Sequence, residues 1–390
     1  MKKILLLSLF LSLVIAGQAQ VSQTVNVTAG GGLSAAITAA GGSLNAITNL
    51  TVSGTIDARD FVTMRDSMPV LAVVDFGTVT IAAYTGTRGT VDTANITYPE
   101  NGMPQYAFCT PKNWGKSSLT TIQLPVSITS IGNYAFYDSG LTSIIFPASL
   151  TSIGNDAFSE CFHLTSIVIP SLVTSIEDGA FSYCNGLTSI AIPSSVNSIG
   201  HKAFFGCSGF VTVDANNPNY SSKDGVLFNK NQTILIQCPI SKTGSYTIPS
   251  LVTSIEDGAF SYCSGLTLIT IPSSVTSIGD GTFGVCSGLT SVIIPSSVTS
   301  IGDYAFEDCK CLTSVTIPSA VTFIGKGAFL DCSDLTSVTI PSSVTSIGEG
   351  AFVNCSGFIS VDANNPNYSS KDGLLFDKNQ TTLIELSALV

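Results

Sequence analysis

The sequence predicts a repeat solenoid, in which the chain winds into stacked coils of nearly equal length. A unit of 23 residues recurs through most of the 390 residues, and its cleanest copy, LTSVTIPSSVTSIGEGAFVNCSG, runs from Leu335 to Gly357. Phenylalanine and cysteine return at fixed places in this unit. Because a single unit cannot bury its apolar side chains alone, its copies must stack on one another. Such a stack presents an extended surface, which favours binding over catalysis.

The first part of each unit predicts a short strand. In the unit that begins at Leu266, Ile269 and Ile271 flank a threonine, and this alternation is typical of a half-buried strand. Pro272 ends the strand because proline offers no N–H to a neighbouring strand. The units begin at Leu141, Leu164, Leu187, Leu266, Leu289, Leu312 and Leu335, with Phe210 and Phe358 as variants.

The later part of each unit predicts a tight turn that carries core residues. Over residues 280–286 we expect a single helical or 3-10 turn that places Phe283 and Cys286 inside the coil. Stacking then aligns the equivalent phenylalanines into one apolar ladder through the core. Its members are Phe136, Phe158, Phe181, Phe204, Phe260, Phe283, Phe306, Phe329 and Phe352.

Eight of the eleven cysteines occupy one position of the unit and form a second ladder. Stacked equivalents would lie about 4.8 Å apart with parallel Cβ directions, which suits a disulfide poorly. We therefore favour buried free thiols that act as small apolar side chains. Disulfides between neighbouring coils are the alternative. The ladder cysteines are Cys161, Cys184, Cys207, Cys263, Cys286, Cys309, Cys332 and Cys355.

The repeat also resembles a known family. The stretch from Leu289 to Cys309 follows the pattern LxxIxIPxxVTxIGxxAFxxC, with Val292 at the first isoleucine. This pattern is similar to the BspA-like leucine-rich repeats of bacterial surface proteins. The resemblance implies a right-handed, gently curved leucine-rich repeat coil made mainly of short strands. It also implies attachment to host extracellular proteins or to other bacteria.

The N-terminus indicates export. Two lysines precede an apolar stretch in MKKILLLSLFLSLVIAGQAQ, and small residues follow, so residues 1–19 are expected to be a signal peptide that is cut after Ala19. No second apolar run is long enough to cross a membrane. We therefore expect a secreted or cell-surface protein without a membrane span after cleavage.

Three further regions follow the signal peptide. Residues 20–118 are expected to form an N-terminal cap with a degenerate repeat, in which Leu71, Val74 and Phe76 echo the unit. Residues 119–390 form the predicted solenoid. Longer, hairpin-bearing units are expected at 210–265 and 358–390, and the second either caps the stack or ends a shortened chain.

The two longer units carry nearly the same sequence, with DANNPNYSSKDG in each. Asn-Asn-Pro-Asn and Lys-Asp-Gly are turn signals, and the apolar residues around them predict a hairpin. The side-chain oxygens could instead bind calcium, but their spacing fits no known calcium loop, so turn formation is favoured. The oxygen-bearing residues are Asp214, Asn216, Asn217 and Asp224, with Asp362, Asn364, Asn365 and Asp372 in the second copy.

Composition and motifs argue against several functions. Charged residues make up 11% of the chain and the net charge is −11, which excludes the basic surface that nucleic acid requires. His163 and His201 lie at variable positions of their units and in no zinc motif, so both are interpreted as solvated coil residues. No nucleophile elbow or phosphate-binding loop is present. We predict that the protein is not an enzyme and uses no cofactor or metal.

The outward positions of the predicted strands are the candidate binding face. This face is small and polar and lacks the aromatic and arginine anchors of tight interfaces, so it suits a repetitive ligand such as a polysaccharide, or is simply solvated. Trp114, Tyr220 and Tyr368 are the candidate exposed aromatics. The face comprises Thr188, Ser189, Thr267, Thr270, Thr290, Ser291, Thr313, Ser314, Thr316, Thr336, Ser337 and Thr339.

The predicted function is that of an exported, non-catalytic protein-interaction or adhesion module. Its partner would be an extracellular protein or another cell-surface ligand, bound on the strand side of the solenoid. The alternative is a carbohydrate-binding or structural cell-surface protein, which aromatic stacking platforms would favour.

Overall fold

The computed structural model describes residues 20–91, 95–112 and 114–385. The predicted signal peptide, residues 1–19, lies outside the described residues. The predicted class, a solenoid of short strands with little helix, is confirmed: the described residues contain thirty strands and two helices. The chain divides into two compact units, Met1–Leu150 and Thr151–Val390.

The first unit contains both helices and a parallel sheet. Strands β1, β2, β3, β7 and β9 lie side by side in that order, and β6 pairs with β8. Its elements are β1 Ser22–Val27, α1 Leu33–Ala39, β2 Asn49–Ile56, α2 Ala58–Asp66, β3 Val73–Ile81, β4 Tyr84–Gly86, β5 Ile96–Tyr98, β6 Gly102–Met103, β7 Thr121–Gln123, β8 Ser130–Ile131 and β9 Ser143–Ile145.

The predicted degenerate repeat lies in register with the regular one. Val74 of β3 pairs with Ile122 of β7, so its side chain takes the inward isoleucine position. Phe108 stacks on Phe136 with ring centroids 5.5 Å apart and an interplanar angle of 17°. The chain that precedes the clear repeats therefore continues the core of the first unit.

The second unit consists of strands and turns. Its strands are β10 Ser152–Ile153, β11 Ser175–Ile176, β12 Ser189–Ile192, β13 Ser198–Ile199, β14 Phe210–Val213, β15 Tyr220–Lys223, β16 Val226–Asn229, β17 Ile234–Gln237, β18 Gly244–Thr247, β19 Ser254–Ile255, β20 Leu266–Thr270, β21 Ser277–Ile278, β22 Ser291–Ile293, β23 Ser300–Ile301, β24 Phe323–Ile324, β25 Ser337–Ile340, β26 Ser346–Ile347, β27 Phe358–Val361, β28 Tyr368–Lys371, β29 Leu374–Asp377 and β30 Leu383–Glu385.

The regular coils of this unit build two parallel ladders. The longer strands pair in the order β18, β20, β22, and two-residue strands from the Thr-Ser-Ile segment, which is Thr-Phe-Ile in β24, pair in the order β21, β23, β24, β26. We call the second the short-strand ladder. The register places like residues together, as Ile278 lies opposite Ile301 and Ile301 opposite Ile324. Each apolar position of the repeat therefore forms a continuous column in the core.

The turn segment differs from the helical or 3-10 turn expected over residues 280–286. Gly281 and Val285 have left-handed backbones, with φ of +56° and +57°. The N–H groups of Gly281, Phe283 and Val285 donate to carbonyls of the next coil at 2.7–2.8 Å, whereas the intervening N–H groups close turns within their own coil. A helix would direct all its N–H groups along its own axis, and the coils would then lose these bonds to each other.

The phenylalanine ladder runs through the middle of the coils. Phe283, Phe306 and Phe329 are fully buried and their rings stack in sequence, with both centroid distances 5.2 Å. The interplanar angles are 14° and 6°. Offset stacking of this kind adds to the gain from apolar burial.

The cysteine ladder consists of free thiols. All eleven cysteines are unbridged, and all but Cys311 are buried. Six of the eight ladder thiols donate to the carbonyl of a phenylalanine in the preceding coil, as Cys309 Sγ does to Phe283 O at 3.2 Å. Burial raises the pKa of Cys207 and of Cys309 to about 12, so both thiols stay protonated at neutral pH.

Candidate binding surfaces

The candidate binding face lies on the outer side of the longer strands and of the equivalent stretch 313–316, which forms only an isolated bridge. Ten of its twelve residues are exposed, and Thr270 and Ser291 are half-buried. Neighbouring strands bring like positions together, since Thr270 lies opposite Ile293 and Ser291 bridges to Ser314. We call this set of twelve residues, together with Val168, Leu268 and Ile293 on the same side, the strand face.

Part of the hydroxyl column on the strand face is already engaged. Thr290 Oγ1 donates to Thr267 O at 2.9 Å, and Thr336 Oγ1 donates to Thr313 O at 3.1 Å. A hydroxyl has one proton, so these side chains offer a ligand only oxygen lone pairs and a methyl group. The sequence alone gave no indication of this use.

Apolar side chains interrupt the polar surface of the strand face. Ile293 is 52% exposed and Val168 is 77% exposed. The sequence analysis did not include Val168 in the face, although it occupies the same repeat position as Ile293. In the first unit, Val126 and Ile145 are exposed beside β7 and β9 and line a groove of ≈ 460 Å³.

The Asn-Pro-Asn-Tyr motif ends the short-strand ladder. Asn217 is fully buried, and its Nδ2 donates to the carbonyls of Pro193 and Val196 at 2.8 and 3.0 Å. Its Oδ1 accepts the N–H groups of Asn219 and Tyr220 at 2.9 and 2.8 Å. The side chain thus satisfies carbonyls that would otherwise face the next coil, and this agrees with turn formation rather than calcium binding.

The tyrosine of this motif also satisfies a backbone group at the end of the short-strand ladder. Tyr220 Oη accepts the N–H of Ile199 at 2.8 Å, and Tyr368 Oη accepts that of Ile347 at 3.0 Å. Both rings are half-buried, so the expectation that Tyr220 and Tyr368 are exposed was wrong. Their hydroxyls lie against the strand edges because the N–H groups of Ile199 and Ile347 need an acceptor there. Trp114, in contrast, is 75% exposed in the first unit.

Replacing Asn217 by alanine is expected to lower the free energy of unfolding by about 2–3 kcal/mol, because buried donors and acceptors lose their partners. Asn216→Ala is the matched control, since Asn216 is exposed and its side chain has no contact of this kind. Urea unfolding of residues 20–390 measures both. Equal effects of the two substitutions would show that the Asn217 side chain does not stabilise the end of the short-strand ladder.

Sequence reasoning missed an aromatic cluster on the turn side of the second unit. Tyr183, Phe205 and Tyr262 meet edge to face, with centroid distances of 5.2–5.8 Å. Burial, together with the Tyr262 hydroxyl, raises the pKa of Tyr183. In the first unit Tyr106 stacks on Tyr134 at 5.0 Å. The signal in the sequence is that the four tyrosines stand directly before the Ala-Phe pair or the cysteine, whereas Phe205 directly follows such a pair.

His163 and His201 are exposed and lie on different coils. Carboxylates on the turns bind backbone instead, as Asp280 Oδ1 accepts the N–H of Asp303 at 2.8 Å. Within the described part of the chain, no cluster of three or more His, Cys, Asp or Glu residues could hold a metal ion.

Comparison with known proteins identifies the repeat. The model of the BspA type leucine rich repeat region matches six copies, over residues 103–234 and 238–359. The chain belongs to the BspA type leucine-rich repeat family. Among curated protein sequences, none matches it.

Solved structures share the fold of this BspA type chain. A leucine rich cell surface protein from Faecalibacterium prausnitzii A2-165 is 29% identical, with 81% of this chain and 79% of that one covered and a TM-score of 0.65. The pneumococcal vaccine antigen PcpA is 20% identical, with 90% and 80% covered and a TM-score of 0.59. The second likeness shows the fold alone.

The BspA type chain is therefore a leucine-rich repeat protein with a relative described as a cell surface protein. No helix in the described residues is long and apolar enough to span a membrane.

Proposed function

We propose that this BspA type protein is an exported or surface-bound, non-catalytic module that binds an extracellular partner through its strand face. The observation that carries the proposal is the register of the longer strands, which repeats the same outward positions coil after coil. A partner with a repeated motif could contact several coils at once, and many weak contacts would then give firm attachment.

The chemistry of the strand face defines the kind of contact. Its residues are uncharged, so binding is expected to depend little on ionic strength. Exposed Ile293 and Val168 supply apolar contacts, and the threonine hydroxyls accept hydrogen bonds. A protein surface with apolar side chains and N–H donors fits this combination better than a charged partner does.

A carbohydrate ligand is the second candidate. Trp114 and the stacked pair of Tyr106 and Tyr134 offer rings to a sugar in the first unit. Because these aromatics lie outside the strand face, the two candidates predict different sensitive residues.

The test is a binding screen of residues 20–390 against extracellular-matrix proteins, bacterial surface glycans and whole bacteria. The key variant is Thr316→Glu, which places a charge on the strand face at an exposed residue. Ser319→Glu is the matched control, because it adds the same charge to an exposed position of the same coil, after Pro318 and outside the strand face. We expect Thr316→Glu to weaken protein binding at least about tenfold, a loss of about 1.4 kcal/mol, and the control to leave it unchanged.

Two outcomes would overturn the proposal. Equal losses for both variants would show that the strand face has no special role. Binding to glycans alone that is lost in Trp114→Ala would favour the carbohydrate candidate.

A further inference from the structure

The first longer unit lacks the turn segment that every regular coil has. Leu235 of β17 pairs with Ile255 of β19 and so takes the place of the isoleucine in the short-strand ladder. Cys238 N–H donates to Ala259 O at 2.8 Å, as Phe283 N–H donates to Ala305 O at 2.8 Å. Cys238 thus stands where phenylalanine is expected, but three residues after Leu235, whereas Phe283 follows Ile278 by five.

A cleft occupies the space of the missing turn. It measures ≈ 410 Å³ and lies between the turn that carries Phe204 and the coil that carries Glu256. Ile199, Ile234 and Ile236 contribute its apolar lining. This size lies within the range of ligand-binding clefts.

Backbone donors in this cleft are left without acceptors. In the preceding coil, Gly179 N–H donates to His201 O at 3.0 Å, and Phe181 N–H donates to Ala203 O at 2.8 Å. Lys202 and Phe204 occupy the equivalent positions one coil later. Within residues 20–91, 95–112 and 114–385, the N–H groups of these two residues have no acceptor.

We propose that this cleft binds a peptide segment of a partner protein, through the main-chain carbonyls of its residues i and i+2. The donors of Lys202 and Phe204 have the spacing that every regular coil uses to bind such a carbonyl pair. Phe204 is buried, and a buried N–H group without an acceptor is costly, so a peptide that supplies the oxygens gains affinity from its backbone.

Charge on the wall opposite His201 and Lys202 favours a basic side chain on the bound segment. Glu256 and Asp257 form one wall of the cleft. In the regular stack, Lys326 holds the matching position between Asp303 and Glu349. A lysine of the ligand would likewise face Asp257. This site uses the turn side of the coil, so it does not depend on the strand face.

The chain itself supplies the probe. A synthetic peptide of residues 322–331, TFIGKGAFLD, contains the turn that the longer unit lacks. In its own coil, Lys326 O accepts Tyr304 N–H and Ala328 O accepts Phe306 N–H, both at 2.7 Å. Tyr304 and Phe306 are the repeat equivalents of Lys202 and Phe204.

The experiment is an NMR titration of residues 20–390 with this peptide. We expect saturable binding with a Kd below about 1 mM and downfield shifts of the Lys202 and Phe204 amide protons. Replacing the Lys326 and Ala328 carbonyls of the peptide by methylene groups should weaken binding at least tenfold. The same change at Gly327 is the matched control, because that carbonyl accepts Leu330 N–H within its own turn at 3.0 Å.

Protein variants separate this site from the strand face. Ile236→Trp fills the cleft and should abolish peptide binding, whereas Ile293→Trp on the strand face should leave it intact. Absence of binding to the wild type, or equal losses for all three carbonyl replacements, would overturn the proposal. The strand-face proposal would be unaffected, since Thr316→Glu tests it separately.

Discussion

Raising the pH above 9 is expected to unfold this protein cooperatively. Burial raises the thiol pKa above the ordinary value of 9.0 in five cysteines, and a hydrogen bond with Cys238 or Cys355, together with burial, raises it in Cys263 and Cys332. Above pH 9 the thiols of the unfolded chain ionise, while those of the folded chain keep their protons. The unfolded state then binds fewer protons, so the free energy of unfolding falls as the pH rises. The seven are Cys109, Cys184, Cys207, Cys263, Cys286, Cys309 and Cys332.

The expected size of this effect is large. One thiol contributes about 1.4 kcal/mol for each pH unit between its unfolded and folded pKa. Seven together approach about 10 kcal/mol for each unit, which is comparable with the whole stability of a typical domain. Lys116 opposes the trend, because burial lowers its pKa from the ordinary 10.5 to about 8. Between these two values this lysine raises the free energy of unfolding as the pH rises. One lysine is outweighed by seven thiols.

Urea unfolding in the presence of a reducing agent, at pH 8, 9 and 10, measures this dependence. The midpoint should begin to fall between pH 8 and 9, where the thiols of the unfolded chain start to ionise, and should drop sharply by pH 10. Cys309→Ala removes one thiol and should reduce the proton release on unfolding by about one. A midpoint that stays constant up to pH 10 would contradict the role assigned to the buried thiols.

The general course of the chain could be predicted because the repeat fixes which residues point inward. Leu266, Ile269 and Ile271 alternate as a strand requires, and stacking leaves them no other place to be buried. A proline follows the longer strand in the units of β12, β20, β22 and β25. The strand pattern within one unit and the packing of the whole stack therefore require the same residues to be buried, and this agreement made the solenoid predictable from the sequence.

The turn segment could not be predicted for a physical reason. Val285 adopts φ of +57°, a region that β-branched residues rarely enter, so local propensity argues against the observed conformation. The bonds that enforce it run to the next coil, and a pattern within one coil does not show them. Hydrogen bonds between coils overrode the preference of a single residue.

The cleft was also hidden from the sequence analysis. The missing turn is visible as the absence of the Gly-x-x-Ala-Phe pattern after Leu235, but its consequence is an empty space beside Phe204. His201 had been interpreted as a solvated coil residue, and the structure places it on the rim of this cleft. The cleft forms only because the coils before and after the missing turn lie next to it in three dimensions.

Replacing Phe306 by alanine is expected to lower the free energy of unfolding by about 3–5 kcal/mol. Phe306 is fully buried and stacks on Phe283 and Phe329, both at 5.2 Å. Alanine would leave a cavity between two rings whose positions the backbone bonds between coils fix, so the core could not close around it. The loss therefore exceeds the transfer free energy of the ring alone.

Phe323→Ala is the matched control, because Phe323 belongs to the next coil and is 39% exposed on the short-strand ladder. Its loss should cost less than about 1 kcal/mol. Urea unfolding measures the loss for each of these variants. Adding Phe329→Ala and the Phe306→Ala/Phe329→Ala double variant shows how strongly neighbouring phenylalanines of the ladder are coupled. Since the second deletion enlarges a cavity that the first has already opened, the double variant should lose less than the sum of the two single losses. Strict additivity would show that each phenylalanine packs only within its own coil, and the ladder would then be a repeated pocket rather than a continuous core.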